Sequence, residues 1–332
     1  MKHTKLKIFL LLVIAVFLVM IIPTIASKSK NETPIYEART KVLVSLRSNI
    51  GSNRKMTPIE RNVHVRIYEY KDGWCKVKYN KQTGWIDEQY LWAFRPLKSE
   101  EYPLPHQHTN NAIITLTDNT ELKSDTFAGR SYPTSSSFCV NFSKDTPTVY
   151  LWRDEIVLTD IKYDVTPFVS WQDAKPGDII SGFSTFYTED QGTPYQENRE
   201  KNLQLSCERI NDTVIPAHGR FSFNDLCAPY TKTNKYGVAP SVGGSGKGPG
   251  GGVCQVSTTM FNAILGLPID INEWYLHSQD GVPYIPLSFD ASVGPDKDFV
   301  FTSRLDYPIR VKAEAKDGIV TILLLRDEGD NT

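Results

Sequence analysis

The sequence predicts an α+β chain that is mostly β. A β-rich final domain carries one cysteine-bearing helix, and a small all-β module precedes it. Three observations lead there. Over residues 40–95 and again beyond Pro268, short runs alternate apolar with polar residues, the period of a half-buried strand. In residues 253–267, Val256, Met260, Ala263, Ile264 and Leu267 recur at three- and four-residue spacing, the stripe of an amphipathic helix, with Gly266 and Pro268 as its stop. A glycine-rich run, GGSGKGPGGG, ends where that stripe begins, so Cys254 falls in the first turn of the helix.

Composition narrows the rest. A chain of 332 residues is long enough for two or three domains with real cores. The formal net charge is −1 and no basic stripe appears, which argues against a nucleic-acid partner. Lys2, Lys5 and Lys7 precede an uninterrupted apolar run over residues 8–22, followed by Pro23, Thr24, Ile25 and Ala26. Residues 1–27 therefore read as a signal anchor or a signal peptide, with Ala26 an acceptable cleavage point. Either way residues 28–332 are expected outside the cytoplasmic membrane, attached through the N-terminal segment if it is retained. No cofactor of the ATP or nicotinamide kind is expected in that compartment.

Residues 28–39 are polar and read as a stalk. Strands are expected at residues 41–44, 64–68, 74–79, 84–86 and 90–91, with Asp72-Gly73 as a turn between two of them. Cys75, Val77 and Tyr79 share one face, so Cys75 is a core filler. The string YKDGWCKVKYNKQTGWIDEQYL, with its repeated Gly-Trp pair, resembles the closing half of a bacterial SH3 domain. That resemblance covers residues 40–95 and implies a small SH3-like β-barrel that docks to cell-wall peptides or a partner, or serves as a spacer.

Residues 96–176 read as a β-rich linker module or an extension of the final domain, with strands at 112–116, 148–152 and 155–158. His106 and His108 lack the further ligands a metal would need. From residue 177 to about 326 the final domain shows a strand at 183–187 and an amphipathic helix at 199–211, with Leu203, Cys207 and Ile210 on its stripe. Short strands follow at 214–215 and 221–223. Beyond the Cys254 helix, strands are expected at 273–276, 287–290, 299–301, 309–311 and 319–325.

The five cysteines, Cys75, Cys139, Cys207, Cys227 and Cys254, show no CxxC spacing, so no zinc knuckle or dithiol site is signalled. Cys207 and Cys227 are candidates to pair. Cys254 reads either as a small apolar filler or as a nucleophile. A helix start gathers unpaired N–H groups and positive dipole, which favours a thiolate and can hold an oxyanion. A phosphate loop fits poorly, because Lys247 is followed by Gly248 and no strand precedes the run.

A thiolate needs a proton partner, and the final domain holds only His218 and His277. His277 closes an expected strand after the helix, and Asp290 lies on the next. Cysteine at a helix start, then histidine, then carboxylate is the order of papain-like and transglutaminase-like enzymes. In that reading Cys254 attacks, His277 shuttles the proton and Asp290 orients the ring. Gly252, Gln255, Ser257, Ser278 and Tyr284 are expected to bind substrate, although Gln255 and Ser257 fit equally well as helix caps.

FSFND, the step at residues 236–240, GGGVCQVSTTMFNAIL, LHS and FDASV together resemble the VanW-like family of the Gram-positive envelope. Members with an SH3-like or wall-binding module are similar to peptidoglycan L,D-transpeptidases. The family cysteine then maps to Cys254 and the histidine to His277. Two departures stand out. Ala217-His218-Gly219 replaces a frequent Pro-Gly-Glu turn, so His218 reads as a surface residue private to this chain, with the role of base as the alternative, and Phe289 stands where many members carry a basic or small residue.

The resemblance implies an extracytoplasmic, metal-free cysteine acyltransferase at the cell membrane or cell wall. Acting on peptidoglycan stem peptides, it would form 3–3 cross-links through a Cys254 thioester. An L,D-carboxypeptidase or endopeptidase using the same cysteine, and a non-enzymatic wall-binding adaptor, are the alternatives.

Overall fold

Seven strands that begin with Tyr36–Thr40 form the first sheet of the computed structural model, which describes residues 34–40, 42–61, 63–96, 110–143, 146–188, 194–241, 246–277, 281–286 and 289–329. The order across this antiparallel sheet is Lys55–Ile59, Val44–Arg47, Gln82–Asp87, Trp74–Tyr79, His64–Lys71, Tyr36–Thr40 and Leu91–Pro96. Asp72 and Gly73 both take positive φ, 51° and 76°, as a two-residue hairpin with right-handed strand twist requires. Leu46, Ile59, Ile67, Cys75, Val77 and Ile86 fill its core. The expected stalk is shorter than the sequence suggested. Tyr36–Thr40 pairs with His64–Lys71 on one side and Leu91–Pro96 on the other, because Tyr36 and Ala38 bury their side chains there. The next strand along the chain runs Val44–Arg47, later than the expected 41–44. The N-terminal apolar run, His106 and His108 lie outside the described residues.

The central segment is not an independent module. Its five-stranded sheet, ordered Asp154–Val157, Thr146–Leu151, Ser137–Ser143, Ala112–Leu116 and Tyr163–Pro167, packs against the final domain. Phe186 and Ile319 of that domain belong to its apolar cluster, and the Phe138 and Phe186 rings meet edge to face at 5.4 Å. The Cys139 N–H donates to Ser184 Oγ at 2.9 Å, which in turn bonds Thr321 Oγ1 at 2.8 Å. A side chain on Gly182 would meet Cys139 Sγ at 3.1 Å and backbone at 2.9 Å, so this glycine lets the two sheets close.

The final domain joins an antiparallel sheet, ordered Ile179–Phe186, Ile319–Arg326, Ile309–Lys316 and Val214–Ile215, to a three-stranded sheet of Arg220–Ser222, Val300–Ser303 and Ile269–Glu273. Three helices complete it: α1 (Pro194–Ile210), α2 (Phe223–Cys227) and α3 (Val253–Ala263). Helix α3 is buried along its length, with Val256, Met260, Phe261 and Ala263 inaccessible. It packs on Ile179–Phe186 and Ile319–Arg326, while α1 packs on Ile309–Lys316. Among the described residues no helix is long and apolar enough to cross a membrane. Cys207 and Cys227 are both buried free thiols, so the expected pairing does not occur.

Candidate active site

Helix α3 begins on Gly252, whose φ of 100° only glycine adopts readily. Val253 N–H turns back to the Gly250 carbonyl at 3.1 Å and Gln255 N–H to Gly252 at 2.8 Å. Cys254 is the second helical residue, half-buried, and lines a cleft of about 270 Å³. Gly250, Gly251 and Gly252 form one wall, and Tyr230, His277, Tyr284 and Val293 face it.

The glycines are held from behind by α1. Asn202 Nδ2 donates to the carbonyls of Gly237 at 3.0 Å and Gly251 at 2.9 Å, while its Oδ1 accepts the Gly237 N–H at 2.8 Å. Asn198 Nδ2 reaches the Val238 carbonyl at 3.0 Å. These bonds seat the hairpin of Val238–Pro240 and Lys247–Pro249 against the helix start. Residues 242–245 lie outside the described chain.

The segment over residues 289–293 runs alongside α3. Asn262 Nδ2 donates to the Phe289 carbonyl at 2.8 Å, and Thr258 Oγ1 accepts the Ala291 N–H at 3.0 Å. Cys254 Sγ accepts the Val293 N–H at 3.5 Å and lies 3.4 Å from the Val293 carbonyl. Residues 254, 258 and 262 repeat every four positions, so they line one edge of the helix at a rise of about 6 Å per step. Alternate residues of an extended chain advance by about 6.6 Å, and the two repeats match. Asp290, between the tethered residues, accepts from His277 instead.

Asp290 Oδ2 accepts the His277 backbone N–H at 2.8 Å and lies 2.6 Å from His277 Nδ1. The two side chains are 5% and 1% exposed, so the pair is shielded from water. Burial pushes the His277 pKa down, but hydrogen bonds to Asp290 and Cys254 and the charge of both groups outweigh it, raising the pKa to about 9. With Nδ1 on Asp290, Nε2 is the nitrogen left for the thiol. Cys254, His277 and Asp290 are thus brought together.

Neither His277 nor Asp290 sits on a strand, contrary to the sequence expectation. The strand Ile269–Glu273 ends earlier, and residues 274–277 and 289–293 are extended but unpaired as strands. Trp274 explains the break. Its ring stacks on Phe261 at 5.0 Å and its Nε1–H donates to the Asp290 carbonyl at 2.9 Å, which draws the chain onto α3.

The remaining expected residues divide. Gly252 and Tyr284 line the cleft, and Tyr284 is buried, which drives its phenol pKa well up. Gln255 and Ser257 do not line it. Gln255 is wholly buried, donating to Thr185 Oγ1 at 3.0 Å and to the Phe186 carbonyl at 3.3 Å. Ser257 donates to the Ala291 carbonyl at 2.7 Å and so helps hold the 289–293 segment. Ser278 lies outside the described residues. His218 is largely exposed, pairs with Asp306 at 3.0 Å and is absent from the cleft lining. Among the described residues no cluster of His, Cys, Asp or Glu has the makings of a metal site.

Sequence reasoning missed Arg199, which lines the cleft and donates to Gln255 Oε1 at 2.5 Å. Its signal was present, since residue 199 stands four positions before Leu203 on the apolar stripe of α1, an unusual place for a cation.

Comparison with known proteins agrees with the two modules. Residues 198–325 match the family described as VanW like protein, and residues 52–93 match the bacterial SH3 domain. The uncharacterized protein YoaR of Bacillus subtilis (strain 168) is 35% identical over 141 residues, which cover 41% of this chain and 46% of YoaR. The chain therefore matches about half the length of that relative. Two solved structures from Trichomonas vaginalis are more distant. NlpC2 is 16% identical, covering 54% of this chain and 57% of its own at a TM-score of 0.17. NlpC1 is 12% identical, covering 90% and 95% at a TM-score of 0.18. Scores that low carry no argument about the fold. What the sequence matches do establish is that this chain carries a VanW-like domain, residues 198–325, behind a bacterial SH3 domain, residues 52–93.

Proposed function

We propose that the protein is an extracytoplasmic cysteine acyltransferase of the cell wall, a peptidoglycan L,D-transpeptidase that forms 3–3 cross-links. The observation that carries this reading is the meeting of Cys254, at the start of α3 in an open cleft, with a His277–Asp290 pair joined at 2.6 Å. Chemically the set suffices for acyl transfer. His277 holds the imidazolium that stabilises the Cys254 thiolate, and the thiolate attacks the carbonyl of the diamino acid at stem position 3. The Cys254 N–H, in the first turn of α3, donates to the oxyanion. As the carbon–nitrogen bond breaks, the imidazolium passes its proton to the departing D-alanine amine. The side-chain amine of a second stem then attacks the thioester and gives its proton to His277, and the sulfur leaves as the thiolate, which restores the starting pair.

The VanW-like match and the relation to YoaR support an association with the cell wall, and the SH3 domain would hold the chain there. The basic and apolar N-terminal segment would place both domains outside the membrane.

The test is product analysis with purified muropeptides. Wild-type protein is expected to give cross-linked dimers, and Cys254→Ala to lose roughly 10³-fold or more of that rate. Dimer formation that survives Cys254→Ala overturns the mechanism. Shortened monomers without dimers would assign hydrolysis to the same thiol.

A further inference from the structure

Arg199 is the only Arg or Lys among the described residues lining the Cys254 cleft, and no Asp or Glu lines it. Its guanidinium is held by a neutral group. Gln255 Oε1 accepts one of its N–H bonds at 2.5 Å, and Gln255 is itself fixed through Thr185 and Phe186. No carboxylate of the described residues comes within ion-pair distance. The Tyr187 ring lies 5.7 Å from the guanidinium carbon. An oriented cation with most of its donors uncommitted, in a cleft whose described lining holds no acid, is a receptor for an anion. Burial also drives its pKa down, which is the penalty that a bound carboxylate would relieve.

Its position sets which carboxylate. A Cβ on Gly252 would meet Arg199 Cγ at 2.9 Å, so the arginine passes against the backbone two residues before Cys254. Consecutive Cα atoms are about 3.8 Å apart, so a carboxylate at Arg199 lies on the order of one residue from a carbonyl at Cys254. We propose that Arg199 binds the free C-terminal carboxylate of the acyl donor, so that the site takes peptides whose scissile bond is their last. The uncommitted N–H groups of the guanidinium donate to the carboxylate of the residue that will be expelled, and Gln255 keeps the fork aimed. This rests on the cysteine-transfer reading and narrows its substrate to donors that end one residue beyond the attacked carbonyl.

The test uses the full chain carrying Cys254→Ala, so that binding is read without turnover. Two ligands are compared by calorimetry: a stem tetrapeptide with a free C-terminal carboxylate, and the same peptide as its carboxamide. Loss of a charged hydrogen-bonded pair predicts roughly ten- to hundredfold weaker binding of the amide. Adding Arg199→Gln is expected to erase the difference between the two peptides, and Arg199→Lys to restore part of it. Equal affinities for acid and amide, or no binding of either, overturn the proposal, and the comparison of ligands needs no variant at Arg199. Failure of the transfer reading is separately visible, because wild-type protein would then give neither dimers nor shortened monomers from the acid peptide.

Discussion

At the scale of single residues, His277 gives the most direct pH signature. Its folded-state pKa of about 9 lies above the unfolded value of about 6.5. The protonated ring therefore stabilises the native state. That contribution is complete below about pH 6.5 and is lost as the pH rises through 9. Urea unfolding at pH 6 and pH 9.5 should show wild-type protein losing on the order of 1–3 kcal/mol more than His277→Gln over that interval. Equal losses would mean that the ring carries no raised pKa. Cys254 contributes to the rise by hydrogen bond and by charge, so Cys254→Ala should lower the midpoint of His277 observed by NMR. An unmoved midpoint would separate the thiol from the imidazole.

At the scale of elements, the glycine turn before α3 is held by contacts that a side chain would occupy. A Cβ on Gly251 would lie 2.4 Å from the Ala239 carbonyl oxygen and 2.5 Å from that of Pro240, both backbone atoms. At Gly248, three residues earlier on the hairpin, nothing lies within 4 Å. Gly251→Ala should therefore cost about 2 kcal/mol or more of stability and displace Cys254, whereas Gly248→Ala should stay within about 0.5 kcal/mol. Thermal melts of the two variants check this, and similar values would mean that the turn yields freely. The contrast also shows what a linear sequence can reveal. The α3 stripe and the glycine stop-start are local patterns, and Cys254 lies in the first turn of that helix. Gln255 and Ser257 were misplaced because helix polarity says that a residue is polar, not which polar groups it will meet. Their partners, Thr185, Arg199 and Ala291, are brought near by packing of α3 on a strand, a second helix and an extended segment. His277 and Asp290 were legible as an order of residue types, but their backbone was not. The Trp274 and Phe261 stack that pulls them off a strand joins residues from different elements.

At the scale of the whole molecule, the first sheet reaches the candidate site through Arg39. Arg39, on the strand Tyr36–Thr40, places its guanidinium carbon 4.3 Å from the centre of the Trp274 ring. Trp274 in turn stacks on α3 and donates to the Asp290 carbonyl. Burial lowers the Arg39 pKa to about 10, against the attraction of Asp290 and Glu37. Asp290 needs such a neighbour, because its Oδ1 is buried and takes no hydrogen bond among the described residues. A cation over an indole is worth about 0.5–2 kcal/mol, depending on how far it is desolvated. Arg39→Ala should therefore loosen the segments at 274–277 and 289–293 and speed their amide hydrogen exchange several-fold. Arg66→Ala supplies the control. Arg66 sits on the paired strand and approaches Glu37 at 3.4 Å, yet it is 60% exposed. If both variants exchange like wild type at those amides, the SH3 domain is a tether only. A change confined to Arg39→Ala would make it part of the support that holds Asp290 against His277, so that whatever the SH3 domain binds could be felt at the thiol.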